Sequence, residues 1–396
     1  MRSYALIAGT ALLAIPGIVL HFSGADPGPV VEASLYGLTI LAAAFLLAWA
    51  AEALQVDVAQ GLAIAMVALI AVLPEYAVDI AFALRAGADP SQAPYAIANM
   101  TGANRLLVGL GWPVVFGLFW LKTRRRVLQL ERGHAIEVFT LAIATVFSFS
   151  LLLTSAITLL HTVVFVAIFI GYVWLIAKAP VEEPHLVGPA QTLGAMEPRP
   201  RRITIGALIL FAAGAVLAAA EPFAESLIDA GVEMGVDEFL LVQWVAPFAS
   251  EAPEFLIASL LALGGRPGAG MGTLISSKVN QWTLLIASLP IAYGIGGGGW
   301  GGLGFDSRQV EEVFITSAQS LLAVIGIARL NFTWWGALVL AGLFLVQFAI
   351  PSSEVRLAIG WIYIGLALIL IFVRRPALAQ LWRTVREVVA EYRANA

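Results

Sequence analysis

Residues 248–256 read FASEAPEFL. Two carboxylates, Glu251 and Glu254, flank Pro253. The chain on either side is almost purely apolar, FLLVQWVAP (239–247) before it and FLIASLLAL (255–263) after it. The whole stretch is long enough to cross a hydrocarbon core of roughly 30 Å as a helix. Ionisable groups at that depth are costly, and they are kept for function. Read this way, the nine residues predict a membrane helix that carries charge for a purpose.

The rest of the chain agrees. It has 396 residues, of which 60% are hydrophobic and 12% charged. Soluble domains carry about 25% charged residues. Mean hydropathy is +0.90. The composition predicts an all-α polytopic membrane protein of about twelve transmembrane helices. These fall near 3–22, 33–55, 58–85, 94–121, 135–154, 156–177, 203–228, 238–263, 269–295, 309–328, 332–350 and 356–373. The first, SYALIAGTALLAIPGIVLHF, lacks a clear small-residue cleavage pattern and reads as a retained helix. There is no cysteine, so disulfides and thiolate metal sites are excluded.

Lys and Arg set the orientation. Lys122, Arg124, Arg125, Arg126 and Arg132 share one loop, and Lys178, Arg199, Arg201 and Arg202 another. The tail holds Arg374, Arg375, Arg383, Arg386 and Arg393, whereas loops 23–32 and 229–238 contain acids and no basic residue. With twelve spans and a cytoplasmic N-terminus, every strongly basic region is cytoplasmic, as is the C-terminus. Arg85 and Arg356 are weak exceptions. The lack of large loops fits a prokaryotic inner membrane. The tail 376–393 is amphipathic and reads as a helix on the membrane surface.

The two halves repeat. AWAAEAL (48–54), VLPEYAVDIAFAL (72–84) and ANMTGANRLLVGLG (98–111) match LAAAEPF (217–223), EAPEFLIASLLAL (251–263) and GTLISSKVNQWTLL (272–285). In this topology the spans holding Glu75 and Glu254 run in opposite directions, so the repeats are inverted. The expected division is an extra helix and loop in 1–30, a first inverted five-helix repeat in 31–178 and a cytoplasmic linker in 179–202. A second repeat in 203–351 follows, then an extra helix with its amphipathic tail in 352–396. Inverted repeats with helix breaks at the midplane characterise secondary transporters. Proline removes a backbone donor and frees a carbonyl. Glu75 and Glu254, each just after a proline, set carboxylates beside such carbonyls, an all-oxygen environment suited to hard cations. The following segments add Asn99, Thr101 and Asn104, and then Thr273, Ser276, Ser277, Asn280 and Gln281.

These motifs resemble the Ca2+/cation antiporter superfamily, which includes the sodium/calcium and calcium/proton exchangers. Sodium/calcium exchanger repeats read roughly T-S-x-P-E and then G-N-x-x-G-S-N. VLPE (72–75) and SEAPE (250–254) are similar to the first motif, ANMTGAN (98–104) and GTLISSK (272–278) to the second. The resemblance implies ion-binding, metal-holding glutamates at Glu75 and Glu254, with Ser250, Glu251, Ser277, Gln281, Asn99 and Asn104 around them. The chain departs from the pattern at Ala103, Leu107 and Ser276, at Arg105 beside Asn104, and at Lys278 in place of an asparagine. Lys278, Arg105 and Asp79 read as charge-compensating. Lys278 is expected to pair with Glu251 or Glu254 and to stand in for a bound cation, and Arg105 to pair with a carboxylate such as Asp79.

The resemblance implies a secondary-active antiporter that exchanges Na+ or Ca2+ for another cation, with protons as one candidate, by alternating access. Sodium/proton exchange without Ca2+, or a transport-degenerate sensor or scaffold, stays open. An intramembrane enzyme would need clustered histidines, paired aspartates or a Ser-His pair. The four histidines do not cluster, so no enzymatic activity is expected. No cofactor is expected. The transported cations are the substrates, and the partners are inorganic cations and the lipid bilayer, not nucleic acid. His134 and His161 read as interface histidines, and GIGGGGWGGLG (294–304) as a flexible connector.

Overall fold

The computed structural model describes residues 2–57, 72–178 and 186–394. The expected span at 58–85 lies partly outside them. Among the described residues nine helices are long and apolar enough to cross a membrane. Of the other expected spans, Trp334–Ala349 forms a shorter apolar helix. Residues 267–298 run helically through a segment diluted by the polar residues of the second motif.

The chain divides into two compact units, Met1–Phe82 with Val181–Glu254, and Ala83–Pro180 with Phe255–Ala396. The first unit thus gathers the opening spans of both halves. It contains α1 (Arg2–Ser23), α2 (Pro29–Leu54), the start of α3 (Leu73–Ala88), α8 (Pro198–Met234) and most of α9 (Glu238–Leu263). Small residues let these helices approach closely, as packing between lipid-embedded helices requires. A Cβ on Gly17 would fall 2.2 Å from Thr39 Oγ1. The Thr39 hydroxyl donates to the Ala14 carbonyl at 3.2 Å, joining α1 to α2. Leu46, Leu47 and Trp49 of α2 share a core with Ile205, Ala212 and Val216 of α8, and with Ala190 and Leu193 of a short helix before it. At the end of α2, Asp57 accepts from Arg201 at 2.6 and 2.8 Å and from Arg202 at 2.9 Å. The Arg201 guanidinium holds the Asp57 carboxyl down at about 2, against an ordinary value of 3.8.

The second unit repeats one local design. α4 (Ala93–Leu106) is a 14-residue helix followed by a five-residue π-turn (Leu107–Gly111) and then α5 (Trp112–Thr123). In the other half α10 (Pro267–Asn280), also 14 residues, is followed by a five-residue π-turn (Gln281–Leu285) and α11 (Ile286–Tyr293). Turns of this kind often mark functional sites. Two small antiparallel sheets join the halves. β1 (Val127–Gln129) pairs with β4 (Asn331–Thr333), Val127 opposite Thr333, and β2 (Ala156–Ile157) pairs with β3 (Leu303–Gly304). Around them stand α6 (Ala135–Ser148), α7 (Leu159–Ile176), α12 (Ser307–Ile327), α13 (Trp334–Ala349), α14 (Ser353–Val373) and α15 (Pro376–Ala394).

Two expectations change here. Pro253 does not break its span: α9 continues from Glu238 to Leu263 with Pro247 and Pro253 inside it. The glycine run is not simply a flexible connector. Its first part is a π-turn packed on the end of α3, where a Cβ on Gly87 would lie 2.2 Å from the Tyr293 carbonyl and one on Gly296 would lie 2.2 Å from the Leu84 carbonyl. Only glycine permits that approach. The tail helix α15 packs on protein, with Leu381, Val385 and Val388 buried. Trp382 sits 5.2 Å from Phe139 of α6, and Arg132 bridges to Glu387 at 2.7 Å.

Candidate functional site

In the first unit the acids come from α3 and α9. Pro74 lies in the first turn of α3, where its missing donor costs nothing. Glu75 and Asp79 then lie one turn apart on the same face, and both are buried, Asp79 fully. On α9, Ser250 and Glu251 are buried and Glu254 is half-buried. Pro253 leaves the carbonyl of Ala249 without its helical donor. The Ser250 hydroxyl donates to the preceding carbonyls of Ala246 and Pro247, at 3.4 and 3.2 Å. Glu254 Oε2 is buried without a hydrogen bond among the described residues. Buried carboxylate oxygen of this kind is matched by a proton or a cation.

In the second unit α4 and α10 bring the two second-motif segments together. Asn104 and Lys278 are the last residues of ANMTGAN and GTLISSK, so they occupy equivalent positions. Lys278 Nζ donates to Asn104 Oδ1 at 2.7 Å and to the Asn104 carbonyl at 3.3 Å. The ammonium also lies 4.3 Å over the Trp282 ring. Asn104 uses its amide nitrogen on the Met100 carbonyl at 2.8 Å. Its side-chain oxygen, expected from the sequence to face a mobile cation, therefore faces a fixed one. Asn99, five residues earlier and 1% exposed, has both amide atoms buried without a hydrogen bond among the described residues. Such a group is an available oxygen ligand. Gln281 is fully buried at the start of its π-turn. Ser277 is half-buried. Its neighbour Ser276 is committed elsewhere: its hydroxyl meets Glu137 at 3.4 Å and Tyr172 at 3.3 Å.

Arg105 is ion-paired with a carboxylate, as its burial demands, and the carboxylate seen within this unit is Glu312 of α12; the sequence reading named Asp79. Its guanidinium also donates to Gln347 Oε1 at 3.1 Å. Arg356 extends the chain of charges, 3.6 Å from Glu312 and 2.9 Å from Glu311. The sequence reading missed Glu311 and Glu312, although adjacent acids near the start of a membrane helix were visible as SRQVEEVF (307–314). It also missed Glu137. His134 contacts Glu137 at 3.5 Å and packs so tightly on α10 that a Cβ on Gly272 would fall 2.1 Å from its ring. Both histidines serve as packing or capping groups: His161 Nδ1 accepts from the Thr158 backbone at 3.1 Å. Among the described residues no group of three or more His, Cys, Asp or Glu side chains converges as a metal cluster.

A family model described as sodium/calcium exchanger protein matches residues 33–178 and 204–352. Among solved structures, the chain is similar to a crystal structure of the H+/Ca2+ exchanger CAX. The two are 39% identical with a TM-score of 0.93, over 98% of this chain and 99% of that one. Native YfkE shares the fold at 14% identity, with a TM-score of 0.62 over 88% of this chain and 98% of that one. The sodium-calcium exchanger NCX_Mj shares it at 16% identity, with a TM-score of 0.53 over 81% and 99%. No curated protein matches.

Proposed function

The chain belongs to the sodium/calcium exchanger protein family, and on that premise we propose that it exchanges Ca2+ for protons across a membrane. That it is a membrane-spanning antiporter of cations follows from the family itself. The proton as counter-ion rests on one observation, the 39% identity to an H+/Ca2+ exchanger over 98% of the chain. The side chains support it. Glu75 and Glu254 are the carriers, able to hold either a divalent cation or protons, as buried carboxylates can. Asn99, Ser250, Glu251, Ser277 and Gln281 supply further oxygens. Lys278 holds permanently the place that a second cation would take at Asn104, which reduces the number of mobile ions per cycle. The repeats 31–178 and 203–351 are inverted, with the linker and both chain ends on the side of the basic loops.

Glu75→Gln and Glu254→Gln keep size and hydrogen bonding but remove the charge. Each is expected to abolish Ca2+ uptake into proteoliposomes while the purified protein keeps its melting temperature within a few degrees, as about 1 kcal/mol or less allows. Uptake near the wild-type rate in either variant would place the carriers elsewhere. A second reading, sodium–proton exchange without Ca2+, is favoured by the Lys278 ammonium alone, since a fixed positive charge opposes divalent binding.

A further inference from the structure

A groove of about 410 Å3 runs between α5 and α13, lined by Phe116, Gly117, Trp120, Ala337, Leu338 and Arg126. Its walls are apolar and its floor is small. Arg126 lines the groove, and Arg124 stacks on Trp120, which also lines it; Arg125 lies between them in the chain. Among the described residues none of the ion pairs involves any of the three. We propose that this groove binds an anionic phospholipid, with an acyl chain along α5 and α13 and the phosphate held by Arg124 and Arg126.

The rim is rigidly built. Arg124 ends α5 in the left-handed conformation, φ 58°, with its N–H bonded to the Trp120 carbonyl at 2.7 Å. Its guanidinium carbon lies 4.7 Å over the Trp120 ring. Arg126 lies 5.6 Å over the Trp334 ring, and its carbonyl accepts the Trp334 N–H at 3.0 Å. The β1–β4 pairing fixes that register. Stacking uses the face of a guanidinium and leaves its edge donors free, the geometry that grips a phosphate with two parallel hydrogen bonds. Trp120 and Trp334 line the groove beside these arginines, and Trp335 stacks on Trp334; indoles mark the level of lipid headgroups. Basic pockets between membrane helices select anionic headgroups. A zwitterionic lipid carries its own cation, which competes for the phosphate. The narrow floor of Gly117 and Ala337 suits a flexible hydrocarbon chain.

Native mass spectrometry of protein purified from a phosphatidylglycerol–phosphatidylcholine mixture tests this, with two variants that act on opposite ends of the ligand. Arg124→Gln with Arg126→Gln removes the phosphate grip. Each basic residue near the surface contributes about fivefold, so retention of phosphatidylglycerol should weaken by roughly 30-fold. Gly117→Leu fills the groove with every charge kept; a Cβ at Gly117 meets nothing within 4 Å, so the helix accepts it. It should also lose the lipid. Both variants should melt as the wild type does in phosphatidylcholine alone. The proposal fails if wild type retains phosphatidylcholine equally well, or if both variants keep phosphatidylglycerol as wild type does. It fails equally if Gly117→Leu changes the number of chains per particle without changing lipid retention, which would make the groove an interface between copies.

Discussion

The two second-motif segments are nearly the same backbone and carry different cations. Each is a 14-residue helix, a five-residue π-turn and a further helix. In the first, the cation is Arg105, neutralised by Glu312 and wired onward to Arg356 and Glu311. In the second, it is Lys278, resting on the amide oxygen and carbonyl of Asn104 and the Trp282 ring. A guanidinium cannot be discharged in a protein, so a carboxylate is its natural partner in the interior. An ammonium is a compact point charge, and it can sit where a mobile cation would sit. One helix ties its extra charge to a carboxylate of α12, and the other sets its charge against the equivalent asparagine.

If that contrast holds, Arg105→Gln should be chiefly a folding variant. Removing one partner of a buried pair strands the other and costs about 3–5 kcal/mol. A thermal melt in detergent should therefore show a large drop, and Glu312→Gln should show a similar one. Arg105→Met combined with Glu312→Leu should recover part of it, because Glu312 is no longer left stranded and Arg356 retains Glu311. A melt unchanged in Arg105→Gln, with transport lost, would move Arg105 from scaffold to ion path and erase the difference between the helices.

Lys278→Asn restores the family residue and makes the two segments alike. With the fixed charge gone, Ca2+ affinity measured by calorimetry should tighten by about tenfold, or 1.4 kcal/mol. Equal affinities in both forms would detach Lys278 from cation binding altogether.

The smallest effect is expected at Asp57, whose partners Arg201 and Arg202 lie nearer water than those of Arg105. Asp57→Asn should cost on the order of 1 kcal/mol. Its carboxyl is held at about 2, below the ordinary 3.8. A depressed acid contributes fully above the unfolded value and loses its contribution as pH falls through the folded one. The melting difference between wild type and Asp57→Asn should stay constant down to about pH 4 and vanish near pH 2. A difference that grows on acidification would contradict the assignment.

Much of this was legible before the fold. Apolar runs located the long spans because the bilayer leaves a helix few alternatives. The acids at Glu75, Asp79 and Glu251 announced themselves by their apolar surroundings, and the structure buries all three. Pairings across the chain were not legible. Nothing local to Arg105 names Glu312, since the choice is made by the packing of α4 on α12. The continuity of α9 through Pro253 was hidden for a related reason: a proline inside a membrane helix removes one backbone bond, and the packing around the helix decides whether it breaks there. Glycine content likewise suggested freedom at 294–298, where contact with the Gly87 backbone imposes the opposite.

The central claim is that Ca2+ moves one way as protons move the other, through Glu75 and Glu254. Wild-type proteoliposomes carrying an internal pH indicator, in Na+-free buffer, provide the direct measurement. An inward Ca2+ gradient should drive Ca2+ uptake with stoichiometric internal acid loss, and Glu254→Gln should show neither. Ca2+ uptake that requires an opposing Na+ gradient and leaves internal pH unchanged would contradict it.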